Sequence, residues 1–486
     1  LPRPGLEPAV RAARLGFAGG VLVDPGDGGE GEVLDVEDGL VLPAFANGHD
    51  HGKIVSGPSY GAKDDALELW LPQVMTAPPV PTALVARLFF ARAARSGVAS
   101  SMVLHTLFPP ERLRTDVLAI AAAATAVGVR AAIGIPLHDR QFLAYATAAE
   151  ERVVLDQCGV AARDVSIIPR EVPTTAEAMD LVDELAATVE SELVTVQYGP
   201  LGPQWASDSL LSAVAEGSAR SGRRIHMHLF ETVRQREWAD ARFRGGLVRH
   251  LDALGLLSPR LSVAHGVWFR ADELELLAER GVTISVNASS NLRLRSGVAP
   301  VKQMLRSGVR LAIGLDGSAF DDDADFLREL RVAQRLNAGH GLTTDFPTAD
   351  LFRAATEGSA FAVHGGPSAW GLEPGRPADV VVLDRSTLSA DSMEPYRDDA
   401  DLVVLRGQAK HVSHLVVGGR LVVQDGVVVG VDEHLLRAEL AEILRSETSA
   451  QVDRRRVFDV LAPALHEFYR SGAHRTRSEP SERRDR

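Results

Sequence analysis

Cysteine is almost absent from this chain. The single Cys158 has no partner for an intrachain disulfide, so nothing in the sequence asks for an oxidising compartment. Lysine is nearly as scarce. Only Lys53, Lys63, Lys302 and Lys410 accompany the many arginines, a bias of the kind that GC-rich coding produces. No apolar run reaches the roughly 18–20 residues of a membrane helix, and stretches such as Val380-Val381-Val382-Leu383 are strand-sized. Positive charge is in deficit: 52 Lys and Arg against 65 Asp and Glu give a net charge of −13. That balance disfavours nucleic acid as a partner, because phosphate binding needs a basic surface. It suits a neutral or cationic small-molecule substrate, although its commoner meaning is a solvated acidic surface. The opening Leu1-Pro2-Arg3-Pro4 has neither an initiating Met nor a charged-then-apolar signal pattern. The expectations are a truncated or processed chain, a cytoplasmic location and no membrane partner.

What is present reads as a large α/β protein. A chain of 486 residues is too long for one small domain and suits a barrel with an accessory domain. Apolar runs at 40–47, 99–104, 129–135, 193–197, 224–228, 261–265, 282–286 and 310–315 alternate with Ala/Leu/Arg-rich helical stretches such as 210–221, 271–280 and 300–307. Continuous apolar strands alternating with helices imply a parallel sheet. Eight such units fit a (β/α)8 TIM barrel better than an open sheet, though spacing alone leaves both open. Short β-branched runs lie at both ends, at 15–23, 378–383, 414–417 and 421–423, separated by turns such as Gly418-Gly419 and Asp425-Gly426. Neither end alone has enough strands to bury a core. The expected organisation is a composite β-sandwich from 1–42 plus 373–440, a barrel over 43–372, and a C-terminal helix with a disordered tail over 441–486. The helix is expected over 433–469 and the tail from Ser471.

Reactive groups of such barrels gather at the C-terminal ends of the strands. The first strand ends Asn47-Gly48-His49-Asp50-His51. His49 and His51 are two apart, share a face of an extended chain and suit a divalent metal; two surface loop histidines are the alternative. The fifth strand ends His226-Met227-His228-Leu229-Phe230-Glu231. Glu231, just past the strand, suits acid–base work or else a helix start. His226 lies one layer deeper, where a packed histidine is expected. His265 and Asp316 close the sixth and eighth apolar runs, each followed by a glycine that lets the backbone turn. Alone, His265 would be a core residue and Asp316 an N-cap. Together at four strand ends they form a set.

That set resembles the amidohydrolase superfamily. The segment Asn287-Ala288-Ser289-Ser290-Asn291-Leu292-Arg293-Leu294-Arg295-Ser296-Gly297-Val298-Ala299-Pro300-Val301 resembles its counterpart in the deaminase and chlorohydrolase branch, which includes S-adenosylhomocysteine/methylthioadenosine, cytosine and guanine deaminases and triazine hydrolases. Residues 40–51 resemble the branch's first strand, and Gly371-Leu372-Glu373-Pro374-Gly375-Arg376-Pro377-Ala378-Asp379 its return to the β-domain, so the resemblance spans about 15–440. It implies metal ligands His49, His51, His228 and Asp316, a proton shuttle Glu231, and His265 beside the attacking water, with Asp316 moving the second proton. Binuclear relatives bridge their ions with a carboxylated lysine ending the fourth strand. Here Glu192-Leu193-Val194-Thr195-Val196-Gln197-Tyr198 has none, so one ion is expected, zinc or else iron.

The implied activity is an aminohydrolase releasing ammonia from a small N-heterocyclic or amino-substituted substrate. A different leaving group (chloride, a cyclic amide, an imidazolone) and a non-catalytic scaffold are the alternatives. Relatives are often dimers or larger, which leaves a homo-oligomer open. Candidate substrate contacts are Trp70, which could instead pack its helix onto the barrel, and His105, which could be structural. Gln197, Gln204 and Trp205 lie where nucleoside deaminases have a histidine that this chain lacks, which puts an adenosine-type substrate in doubt. Asp321 belongs to an acidic run, 321–325, that could receive a cationic substrate or start the next helix.

Overall fold

The computed structural model describes residues 1–475 apart from 12–13, 27–32, 53–54, 75, 106–111, 141–144, 162–172, 318–322, 367–370, 394–397 and 447. Strands are β1 (Gly16–Ala18), β2 (Val21–Val23), β3 (Gly39–Pro43), β4 (Phe45–Asp50), β5 (Val98–Leu104), β6 (Arg130–Leu137), β7 (Val194–Pro200) and β8 (Ile225–Leu229). They continue with β9 (Leu261–His265), β10 (Thr283–Val286), β11 (Arg310–Ile313), β12 (Val380–Asp384), β13 (Val412–Val417), β14 (Arg420–Gln424) and β15 (Val427–Val428).

Among the described residues, β4 to β11 form one parallel eight-stranded sheet in sequential order. The seam between β11 and β4 closes it. The Asp316 N–H donates to the His49 carbonyl at 3.0 Å, and the Leu315 N–H to Asn47 Oδ1 at 3.0 Å. Glycine makes the approach possible: a Cβ on Gly314 would lie 2.8 Å from the backbone N and O of His49. The result is the TIM barrel that the alternation implied. Its strands are buried on both faces, so each reads as a continuous apolar run rather than an alternation.

The second sheet is antiparallel, in the order β15-β14-β13-β12-β3. The β1–β2 hairpin turns at Gly19-Gly20, both at positive φ, and packs Leu22 against Val380 and Val416. Both ends of the chain therefore build this region.

One expected strand needs correction. The run at 40–47 is two strands: β3 pairs with β12, whereas β4 belongs to the barrel. Pro43 has no N–H to continue a ladder, and the Ala44 N–H turns to the Asp379 carbonyl. Both neighbours are apolar, so periodicity alone could not find the break.

The 433–469 stretch is two helices, Glu433–Ile443 and Ser449–Arg470, the second opened by a Thr448/Gln451 capping box. The tail expected to be disordered from Ser471 forms a 3-10 turn at Ala473–Arg475. His474 is buried there, 2.8 Å from Glu237, and its carbonyl accepts from Arg242. Among the described residues, no helix is long and apolar enough to cross a membrane.

Candidate metal centre

The ends of β4, β8 and β11 bring four side chains together. His49, His51, His228 and Asp316 each offer a donor atom within 4.8 Å of the others'. His49 Nε2 lies 3.0 Å from Asp316 Oδ1, and His51 Nε2 3.1 Å from the same oxygen. The His228 ring centroid is 4.9 Å from that of His49 and 5.4 Å from that of His51.

The backbone is bent to achieve this. His265 (φ 73°), Asp316 (φ 63°) and Phe230 (φ 50°) adopt the left-handed region that side chains disfavour, each where its chain leaves a barrel strand. Strain of this kind, about 1–3 kcal/mol per residue, persists where surrounding structure enforces it and clusters at functional sites.

Each imidazole is oriented through its other nitrogen. His51 Nδ1 meets the Leu104 carbonyl at 2.8 Å, and His228 Nδ1 the Leu201 carbonyl at 2.7 Å. His49 Nδ1 meets His226 Nε2 at 2.8 Å, and His226 Nδ1 meets Ser262 Oγ at 2.6 Å. Carbonyls only accept, so His51 and His228 carry their proton on Nδ1 and turn an Nε2 lone pair inward. The deeper His226 hands the same order to His49.

Electrostatics agree. Burial lowers His49 to about 4 and takes His228 and His226 well below the ordinary imidazole value. Burial alone would raise Asp316, but the imidazoles of His265, His49 and His51 around it hold it well below the carboxylate range, so it is a carboxylate. His51 departs from the other imidazoles: burial would lower it, but the adjacent Asp316 raises it. Three imidazoles around one carboxylate is the donor set of a divalent cation, which binds them neutral. Two of its buried atoms, His49 Nε2 and Asp316 Oδ1, have no hydrogen-bond partner within the protein. Such atoms cost several kcal/mol unless something binds them, so the residues fit a metal ion.

Glu231 and His265 stand beside this group. His265 Nε2 is 3.6 Å from Glu231 Oε2 and 3.9 Å from Asp316 Oδ2, while Nδ1 meets Asn291 Oδ1 at 2.9 Å. Burial, reinforced by Asp316 and Glu68, pushes the Glu231 carboxyl well above its ordinary value. A carboxyl so perturbed in a cleft of reactive groups is a candidate for acid–base work. Ser290 donates to Asp316 Oδ2 and Asn291 meets His265, which places both residues of the 287–301 motif beside the centre.

The proposed substrate contacts fare differently. Gln197 is mid-strand, and its amide nitrogen donates to the Ala362 and Val363 carbonyls at 3.3 and 2.8 Å. It caps the helix Ser359–His364 rather than the centre, a correction to its expected role. His105 is likewise corrected: its Nε2 faces Asp116 Oδ2 at 3.6 Å on the outer helix Leu113–Val127. Trp70 takes its packing role, buried with Leu67 and Leu294. Trp205 is buried with its ring 6.1 Å from that of Tyr145, and Gln204 Oε1 accepts from Gln235. Within the acidic run, Asp325 caps the helix Phe326–Leu336 and Asp323 pairs with Arg328; Asp321 lies outside the described residues.

Sequence reasoning missed Asn47, Glu68 and Gln235. Glu68 carried a signal, a lone carboxylate inside the apolar Leu67-Glu68-Leu69-Trp70-Leu71. Asn47 and Gln235 had none, since only tertiary contacts give them their roles.

The chain matches the model of the amidohydrolase family over residues 40–422. It is 33% identical over 259 residues to a 5′-deoxyadenosine deaminase of Methanothermobacter thermautotrophicus, covering 52% of this chain and 58% of that protein. The match to the corresponding protein of Methanopyrus kandleri covers 59% of it, so the chain spans little more than half of these relatives. A 5-methylthioadenosine/S-adenosylhomocysteine deaminase of Bacillus cereus is 27% identical over 422 residues, covering 85% of this chain and 88% of that one. Among solved structures, a zinc-bound adenosine deaminase from Xanthomonas campestris superposes with TM-score 0.70 at 24% identity, covering 88% of this chain and 92% of its own. A zinc-complexed atrazine chlorohydrolase from Arthrobacter aurescens superposes with TM-score 0.73 at 22% identity, covering 88% and 94%.

Proposed function

The chain belongs to the amidohydrolase family, and from that premise we propose that it is a metal-dependent aminohydrolase releasing ammonia from a small amino-substituted heterocycle. The observation that carries the reading is the convergence of three imidazoles and Asp316 on one point, with the Glu231 carboxyl across His265 from it. The sequence relatives named as deaminases support it over a different leaving group. The full donor set supports catalysis over a scaffold.

His49, His51, His228 and Asp316 would hold one divalent ion, zinc by its donor set, with iron second. When bound, such an ion lowers the pKa of water from about 16 to about 7. Glu231 takes a proton from the attacking water and delivers it to the ring nitrogen beside the reacting carbon. Asp316 passes the second proton to the departing amine. His265, fixed by Asn291, steadies the attacking oxygen through Nε2. The histidine usual in nucleoside deaminases past the fourth strand is missing, which weighs against an adenine nucleoside as substrate.

Ammonia release across amino-purines, pterins, triazines, pyrimidines and guanidino compounds tests the proposal. Glu231→Gln should then lower turnover by at least about a hundredfold while retaining the metal. Near-normal turnover in that variant would remove Glu231 from the mechanism.

A further inference from the structure

Glu68 sits on the helix Leu67–Val74 with 2% of its surface exposed. Water cannot serve its carboxyl, so protein groups must. Thr232 donates its hydroxyl proton to Oε1. Arg234 Nη1 approaches Oε2 at 3.6 Å without hydrogen-bonding it. The Tyr145 hydroxyl lies near the same Glu68–Thr232 pair. Tyr145 is pinned in turn: its N–H donates to the Tyr469 hydroxyl at 3.2 Å, and the two rings meet edge-on at 5.8 Å.

Tyr469 comes from the helix Ser449–Arg470, beyond the 40–422 stretch that matches the family. That helix is tied down along its length. Arg454 donates to the Ala77 carbonyl at 3.1 Å and Arg455 to the Tyr60 carbonyl at 2.7 Å. Past its end, His474 meets Glu237 at 2.8 Å, on the helix Val233–Arg242 that begins beside Glu231.

Thr232 links the two halves of this arrangement. It follows Glu231 and caps the helix Val233–Arg242, its oxygen accepting the Gln235 N–H at 3.1 Å. Gln235 Oε1 accepts the Glu231 N–H at 2.9 Å, and Gln235 Nε2 donates to Gln204 at 2.7 Å. A hydroxyl has one proton. Because Glu68 takes it, the Thr232 lone pair faces the Gln235 N–H, and the Glu231–Thr232 turn is held from both sides.

We propose that Glu68 is a positioning residue for Glu231, acting through Thr232, and that the C-terminal helix completes this support through Tyr469 and Tyr145. The inference rests on the proposed acid–base role of Glu231. Neither Glu68 nor Tyr469 is among the residues that would hold the metal, so losing them leaves the donor set intact. Misplacing a reacting group by about 1 Å can cost about a hundredfold in rate, so this support bears on turnover rather than on binding.

The test uses the full-length, zinc-loaded protein. Glu68→Leu and Thr232→Val remove the link. Glu68→Gln keeps an oxygen to accept from Thr232, and Tyr469→Phe loosens the far end. With the substrate found in the ammonia panel, the first two should lose at least about tenfold in kcat with KM within about threefold. Glu68→Gln should recover most of that loss, and Tyr469→Phe should fall between. Zinc content should not change. Amide hydrogen exchange over residues 229–236, which needs no substrate, should quicken about tenfold or more in Glu68→Leu and Thr232→Val. Unchanged kcat, or a change confined to melting temperature with exchange over 229–236 unaltered, would overturn the proposal and leave the aminohydrolase reading standing. If the wild type releases no ammonia from any compound, that reading falls instead. The exchange result alone then decides whether Glu68 holds the turn.

Discussion

Asp316→Asn is the most direct probe of the centre. The amide matches the carboxylate in shape and can still bond Ser290, so the fold should survive. What disappears is the negative charge that His49 Nε2 and His51 Nε2 approach at 3.0 and 3.1 Å. A four-ligand zinc site in proteins is worth about 10–16 kcal/mol, or about 2.5–4 kcal/mol per donor if shared evenly. An amide oxygen keeps part of that share, so the loss should be about 2–3 kcal/mol, a thirty- to hundred-and-fiftyfold weaker affinity by the conversion of about 1.4 kcal/mol per decade. Competition with a zinc-buffering chelator, read by elemental analysis after dialysis, measures it. Asp316→Asn protein that keeps one zinc with wild-type affinity would refute the assignment of Asp316 as a ligand, and with it the reasoning from the two unpartnered buried atoms, His49 Nε2 and Asp316 Oδ1.

Three further outcomes follow from the same contacts. Chelation should lower the melting temperature by several degrees, since a ligand at a hundred times its Kd stabilises by about 2.7 kcal/mol; an unchanged transition would argue against a resident ion. Phe45 is fully buried and meets Phe326 and Phe352 at centroid distances of 5.5 and 6.3 Å, so Phe45→Ala should destabilise by about 3–5 kcal/mol in denaturant unfolding, and a loss under about 1 kcal/mol would contradict the packing described. Burial raises Glu329 to about 7 despite its bonds from Ser289, so the folded protein binds a proton there that the unfolded chain releases near 4.5. Stability from this group is therefore full below about pH 4.5 and falls, by at most about 3 kcal/mol, as pH rises to about 7. Glu329→Gln should flatten that part of the stability-versus-pH curve, and an unchanged slope would show that Glu329 does not carry it.

The sequence by itself determined where chemistry could sit. A barrel strand buried on both faces must be apolar throughout, so a histidine or aspartate closing such a run is conspicuous, and His49, His228, His265 and Asp316 were legible for that reason. The spacing of His49 and His51 needed only the two-residue repeat of a strand. Tertiary structure alone decided which polar side chains face the centre. Gln197 and Gln204 look alike in sequence, yet one caps a helix end and the other joins the chain of bonds to Glu231, because direction depends on the strand's neighbours. His105 found Asp116 on an outer helix, and the break between β3 and β4 lay hidden within one apolar run. The contribution of Tyr469 comes from a helix more than two hundred residues past Glu231, which no local pattern connects to it. Local periodicity records burial, whereas partners are set by packing between segments far apart in the chain.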